Sequence, residues 1–284
     1  MEAGAPAGEG AARTAFNQQS TSFDRLYSSN PIIRYKRKRV RDLVLQHMQP
    51  GQRILELNAG TGEDAVFFAR QGLYVHATDV SEGMQAVLEN KVRQARLEPW
   101  VSRELCSFTQ LTGLKDKGPY DLIFSNFAGL NCTNALDQVL SAFPVLLKPG
   151  GYVVLTLMPG FCLWEVLLAL RGDFKTAFRR FFSHKGASAQ IEGVCFKCWY
   201  HPPGFISNTL GTAFTTLHLE GLCTLVPPSF LEHFPARFPR AYNHLVALEN
   251  RWKGRWPWKY IGDYYIIALQ KKPITAAAVM NDTC

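Results

Sequence analysis

The sequence contains no uninterrupted apolar run long enough to cross a bilayer. Its most apolar stretch, Gly151 to Leu170 (GYVVLTLMPGFCLWEVLLAL), is divided by Pro159-Gly160 and carries Glu165. It therefore reads as a short strand and the start of a helix, each too short for a hydrocarbon layer of about 30 Å. A cysteine framework is also lacking. The seven cysteines (106, 132, 162, 195, 198, 223 and 284) are odd in number and scattered, which excludes a disulfide-stapled scaffold and favours a reducing compartment, by default the cytoplasm. Cys195 and Cys198 form a single C-x-x-C with no second pair, and His201 is the only histidine close by; a structural zinc site wants four ligands. The pair is expected as two small buried side chains on a strand, with no metal. Charged residues are sparse at 19%, against 47% apolar and 12% aromatic, which excludes a disordered or fibrous chain. The first fifteen residues (MEAGAPAGEGAARTA) have neither the apolar core nor the early positive charge of a secretory signal and are expected as a loose tail, as are residues 273–284.

What is present begins with a basic surplus: Lys+Arg 31 against Asp+Glu 23 leaves a net charge of +8. Nucleic acid, an anionic membrane, an anionic cofactor or solubility alone would each account for it. Asn30-Pro31 is a helix start, followed by Val40, Leu43, Val44 and Met48 at helical spacing. The basic run on that helix, Arg34, Lys36, Arg37, Lys38, Arg39 and Arg41, fans around its circumference and is expected as a solvated face rather than a nucleic-acid patch. From Gln52 onward, strands and helices alternate. Strands are expected at 53–57, 73–79, 101–108, 120–127 and 152–158, with helices at 63–72, 81–97 (Ser81 as N-cap) and 135–147 between them. Alternation of this kind implies parallel crossover units, hence a doubly wound α/β fold with a mostly parallel sheet. Beyond Pro159 the order loosens into a broken amphipathic helix pair (161–182), a strand (191–201), a short helix (207–214), a strand (215–226), a proline-interrupted helical insertion (230–252) and a closing strand (263–272).

The sharpest motif is Glu56-Leu-Asn-Ala-Gly-Thr-Gly-Glu-Asp64, placed directly after a strand and opening a helix. Glycines there let the backbone turn tightly and approach a ligand, while the helix start offers free N–H groups. The next strand ends in Asp79, where a carboxylate is able to accept both hydroxyls of a ribose. A dinucleotide, or a nucleoside bearing an amino-acid tail, fits this geometry. A dinucleotide loop wants G-x-G-x-x-G, and the third glycine is missing here.

With Glu56, Gly60 and Gly62 in this register, the sequence resembles the class I S-adenosylmethionine-dependent methyltransferases, in their small-molecule branch. The resemblance runs over about residues 16–158 and extends to Tyr120-Asp-Leu-Ile-Phe-Ser-Asn126, to Leu147-Lys-Pro-Gly-Gly-Tyr-Val-Val154, and to residues 16–27, which are similar to a helix that closes over the cofactor. Asn58 stands where the family has its first glycine; asparagine tolerates the left-handed conformation better than other side chains. The resemblance implies a seven-stranded sheet, S-adenosylmethionine as cofactor, and a cofactor site built from Tyr27, Glu56, Asn58, Ala59, Gly60, Gly62, Asp79, Met84, Ser107, Phe108 and Asn126. In it Asp79 would hold the ribose, Met84 would pack on adenine, Ser107 would stand in for the acid that contacts the adenine amino group, and Asn126 would lie beside the sulfonium.

Acceptor choice would then fall to residues 16–50, 159–214 and 227–262, which are rich in aromatics with basic residues between them. They suggest a small apolar or aromatic acceptor (quinone-, polyketide- or lipid-like) methylated on oxygen or carbon, with 161–182 as a possible peripheral membrane contact. Tyr27, Tyr35, Tyr200 and His201 are the candidate bases, with His201 the candidate catalytic residue. The alternatives are a nucleic-acid methyltransferase, a non-catalytic nucleoside-binding protein of the same fold and an NAD-dependent oxidoreductase.

Overall fold

A computed structural model describes residues 9–181 and 185–273. The chain enters through two helices, α1 (Glu9–Tyr27) and α2 (Pro31–Leu45). The alternating unit follows: β1 (Arg53–Leu57), α3 (Glu63–Arg70), β2 (Tyr74–Asp79), α4 (Glu82–Ala95), β3 (Val101–Leu105), β4 (Tyr120–Ser125), α5 (Leu136–Ser141), α6 (Phe143–Leu146) and β5 (Leu147–Leu157). After β5 come α7 (Leu163–Leu167), α8 (Phe174–Phe178), a hairpin of β6 (Ala187–Ile191) and β7 (Val194–Cys198), α9 (Pro203–Leu210), β8 (Phe214–Leu222), α10 (Phe234–Arg237), α11 (Pro239–Trp252) and β9 (Tyr264–Lys271).

Seven strands form one sheet in the order β3-β2-β1-β4-β5-β9-β8. Strands β1 to β5 pair in parallel, and β9 runs antiparallel to both β5 and β8, so β9 alone is reversed. Alternate residues feed two cores. Leu55, Leu57, Ile123, Val153, Leu155 and Ile267 pack on the α5, α6 and α9 side, whereas Ile54, Val75, Leu122, Phe124, Val154 and Ile266 pack under α2, α3 and α4. The chain winds away from β1 in one direction through β2 and β3 and in the other through β4 and β5. The crevice between the ends of β1 and β4 is the switch point at which such sheets bind ligands.

Several expectations need correction. Residues 9–15, expected in a tail, form the first turns of α1, because Ala12 and Ala15 are buried against β6 and β7 together with Phe196. The strand expected at 191–201 is half of a hairpin: Glu192 (φ 47°) and Gly193 (φ 79°) supply the left-handed turn between two antiparallel strands. On β7, Cys198 is buried but Cys195 is exposed, so the pair does not share a core face. The basic run of α2 is largely turned inward. Lys36 is buried against Asp263 (2.7 Å), Arg39 pairs with Glu220, Arg41 pairs with Asp64 (2.6 Å), and of the six only Arg34 and Lys38 are exposed, Lys38 pairing with Asp42 on the solvent side. Residues 1–8 and 274–284, with most of both expected tails, lie outside the described residues, as does Phe182. Among the described residues, no helix is long and apolar enough to cross a membrane.

Candidate active site

A cleft opens at the carboxyl ends of β1, β2 and β4, with about 900 Å³ of space between its walls when the solvent-open mouth is included. Its floor is the β1–α3 turn. Asn58 adopts φ 47° and Gly60 φ 55°, and Gly62 caps α3 at φ 77° with Leu88 packed where a side chain would go. The asparagine thus takes the conformation a glycine would, and adds a cross-link: its Nδ2 donates to the Asn126 carbonyl (3.0 Å) and its Oδ1 accepts from Ser125 Oγ (2.6 Å). Gly129 leaves room for this side chain. A Cβ there would lie 2.3 Å from Asn58 Cγ.

Three buried carboxylates stand in and beneath this turn. Asp79 accepts N–H bonds from Gly60 and Ser81 (both 2.8 Å), and burial raises its pKa against those two bonds. Asp64 is held by Arg41 and by Asn126 Nδ2 (2.9 Å). Glu56 is different: its Oε2 is buried with no hydrogen-bond partner, and burial, then the nearby Asp64, pushes its pKa well above the carboxylate range. Around the acids lie Met84, Phe108 and Phe127 as apolar surface, and Arg37, whose guanidinium sits over the Phe127 ring, bonds Glu63 (3.3 Å) and keeps its Nε without a hydrogen bond, 3.6 Å from Asp64 Oδ1.

The roof is α1. Glu9, Ala12, Arg13, Phe16 and Phe23 face the cleft from this helix. Its polar residues latch it down: Asn17 Oδ1 accepts from Gly83 N–H (3.0 Å) and from Ser81 Oγ, Asp24 accepts from Thr61 Oγ1 (2.6 Å) and pairs with Lys91, and Arg13 pairs with Glu82.

Of the residues expected at the site, Glu56, Asn58, Ala59, Gly60, Asp79, Met84, Phe108 and Asn126 line the cleft together. Gly62, Ser107, Tyr27 and His201 do not. Gly62 lies one step behind the lining at the start of α3. Ser107 donates its hydroxyl to Glu9 instead of facing the ligand space, and Thr109 Oγ1 donates to the same carboxylate (3.1 Å). Tyr27 stacks edge-on against Phe23 at the end of α1. His201 packs on Phe205, with burial lowering its pKa and Nε2 unpartnered. Tyr35 donates to Glu249 (3.0 Å) and Tyr200 lies under Arg180, and burial raises both phenol pKa values. None of the four candidate bases lines the cleft. The lining residues that the sequence reading did not name include Glu9, Arg13, Arg37, Asp64 and Phe127; residues 16–27, expected as a helix over the cofactor, lie in α1, whose Phe16 and Phe23 line the cleft.

A second polar cluster, Cys162, Glu165 and Asp263, has donor atoms within 4.8 Å of one another. Two cations are already seated in it. Arg180 bonds both carboxylates (2.7 and 2.9 Å) and Lys36 bonds Asp263, which leaves no charge for a metal to neutralise.

Residues 54–151 match the family described as methyltransferase domains. A demethylmenaquinone methyltransferase of Streptomyces avermitilis is 35% identical over 107 residues, which are 38% of this chain and 42% of the length of that relative. The solved structure of the [4+2]-cyclase SpnF superposes with a TM-score of 0.61 at 16% identity, covering 96% of this chain and 100% of that one. The 1,6-didemethyltoxoflavin N1-methyltransferase of Burkholderia thailandensis superposes with a TM-score of 0.56 at 15% identity, covering 96% and 93%. These structural likenesses establish the fold, and one of the two neighbours carries the name of a cyclase, so the chemistry has to be argued from the site.

Proposed function

We propose that this chain, whose residues 54–151 belong to the methyltransferase-domain family of the class I fold, transfers a methyl group from S-adenosylmethionine to a small apolar or aromatic acceptor. The observation that carries the reading is the buried Glu56 carboxylate beside Asp64 and Asp79, whose Oε2 has no hydrogen-bond partner. A buried carboxylate without a partner is costly, and a cationic ligand is what would offset that cost. A dinucleotide would bring its diphosphate against these acids, a repulsive arrangement, whereas a nucleoside with an ammonium and a sulfonium complements them.

The residues present fit such a cofactor. Asp79 uses one lone pair on each oxygen for the Gly60 and Ser81 N–H groups and keeps others for ribose hydroxyls. Met84 and Phe108 offer apolar surface to a base. Arg37, whose Nε lies 3.6 Å from Asp64 without a hydrogen bond, would offer a donor to the carboxylate of the amino-acid tail, and Glu56 would offset its positive charge. When bound, S-adenosylmethionine supplies a methyl group already activated on sulfur. The remaining work of the chain is to align the acceptor and exclude water. The roof helix α1 covers the cleft, and Phe16, Phe23 and Phe127 give it an apolar wall suited to a flat or greasy acceptor. Among the described residues no His, Tyr or Lys lines the cleft, so an acceptor that has already lost its proton, or a carbon made nucleophilic by its own substituents, suits the site better than one needing a strong base. The relative named for demethylmenaquinone methylation supports an acceptor of the quinone class. The nucleic-acid alternative loses its main support, since most of the basic run of α2 is paired inside the protein.

Calorimetric titration with S-adenosylmethionine, S-adenosylhomocysteine and NADH tests the reading. Both sulfur nucleosides should bind at about micromolar Kd, NADH should not, and Asp79→Ala should weaken binding about 100-fold through the lost ribose bonds and the unlatched loop. Binding of NADH alone would move the protein to another class.

A further inference from the structure

We propose that the face built from residues 163–181 and 229–260 docks on a lipid surface bearing anionic headgroups. The inference is independent of the methyl-transfer reading.

Topology brings the two segments together. The β5 chain leaves the sheet at the end where the cleft opens, and Leu222 of β8 pairs with Tyr264 of β9 at that same end, so the insertion between them projects beside the cleft. The first segment is fastened just past the end of the second: Leu163 N–H donates to the Ile261 carbonyl (2.9 Å), and Arg180 donates to the Asp263 carbonyl (3.0 Å).

Composition then selects the partner. Residues 229–260 hold six Lys and Arg against two acids, and one of those acids, Glu249, is wholly buried, accepting the N–H groups of Cys223, Leu225 and Val226. Arg237, Arg240, Arg251, Arg255 and Lys259 have no carboxylate partner among the described residues, although the other ion pairs of the chain consume most of its acids. Several sit over aromatic rings: Arg237 over Phe238 (5.3 Å), Arg255 over Trp252 (5.1 Å) and Lys259 over Tyr260 (5.1 Å). Trp256 is 79% exposed, and Phe230 and Phe238 are also open to solvent. The neighbouring segment adds exposed apolar side chains, Leu170 at 83% and Phe174, Phe178 and Phe181 beside it, with Lys175 and Arg179 among them and Asp173 as its exposed acid.

Cations interleaved with Trp and Tyr suit a headgroup layer, where an amphipathic ring and a basic side chain are both satisfied at one depth. A nucleic acid would use the cations and stack on some of the rings, but it gives exposed leucine and phenylalanine side chains no apolar phase to enter. A bilayer gives them one, and each basic residue near an anionic surface adds to the attraction.

Co-sedimentation of the full chain with vesicles of phosphatidylcholine, and with vesicles containing about 30 mol% phosphatidylglycerol, tests this at low and high salt. Binding should be about tenfold stronger on the anionic vesicles and should weaken with salt. The pair Arg251→Glu, Arg255→Glu and, separately, the pair Trp256→Ala, Phe174→Ala should each lower it about fivefold or more, with far-UV circular dichroism and sulfur-nucleoside binding unchanged. Failure of the wild type to bind either vesicle, equal binding to both, or binding by the variants like the wild type would overturn the proposal. Salt-sensitive retention on single-stranded RNA without vesicle binding would overturn it in favour of a nucleic-acid surface.

Discussion

Glu56 is held in a state that serves a ligand rather than the fold. Its pKa is raised by burial and by Asp64, so in the free protein the ionised form is disfavoured until the pH climbs past that raised value. Affinity for a cationic nucleoside should therefore increase as the pH rises through it. Glu56→Gln should flatten that dependence and weaken S-adenosylmethionine binding about tenfold or more, while the melting temperature stays level or rises by about 2 °C. Calorimetry across pH, with a thermal melt of each form, checks the pair of outcomes; a Gln variant that binds with the same pH slope as the wild type would remove Glu56 from the site. Asn58 illustrates how a residue that departs from a motif can still serve it. Its left-handed backbone was legible from the sequence, because asparagine tolerates that region. Its bonds to Ser125 and Asn126 were not, since they depend on Gly129 leaving the space beside it open.

At the scale of elements, α2 shows how far a one-dimensional charge pattern can mislead. Six basic residues on one helix read as solvated, yet Lys36 is buried with its ammonium on Asp263 and over the Tyr264 ring. Burial alone would raise the Asp263 pKa, but Lys36 and Arg180 outweigh it and hold the carboxyl below its ordinary value. Glu220 behaves likewise: against burial, His218, Arg39 and Lys253 pull it down to about 2. Acids depressed in this way contribute stability above their unfolded pKa values, and that stability is lost as pH falls through the folded ones. Removing one member of the buried network leaves the others unpaired. Lys36→Ala should cost about 3–5 kcal/mol, whereas Lys38→Ala, on the solvent side of the same helix, should stay within about 0.5 kcal/mol. Urea unfolding of both variants measures the contrast, and equal losses would contradict it. Helical spacing shows the partner of Lys38, Asp42 one turn on (2.6 Å), but not that of Lys36, because Asp263 lies 227 positions away in the chain.

Across the whole molecule, the cleft is assembled from regions distant in the chain, and α1 is the piece most dependent on the rest. It reaches over the β1–α3 turn and the start of α4 and is fastened by Asn17, Asp24 and Glu9, with few apolar anchors of its own. Amide exchange in residues 9–27 should slow markedly when a sulfur nucleoside fills the space beneath, while exchange in β1, β4 and β5 changes little. Hydrogen-exchange mass spectrometry reads this directly; an α1 indifferent to ligand would mean that it is not part of the binding site. The sequence by itself determined the alternating strands and helices, the glycine turn with its following acid and the parallel sheet these imply, because each rests on local periodicity or on backbone conformations that few residues adopt. Tertiary structure alone decided which carboxylate is left unpartnered, which cations are consumed inside and which remain on the surface, and that Glu9 takes up Ser107. Those outcomes depend on which charges meet across the sheet and between residues tens or hundreds of positions apart, and pairing at that range leaves no period in the chain.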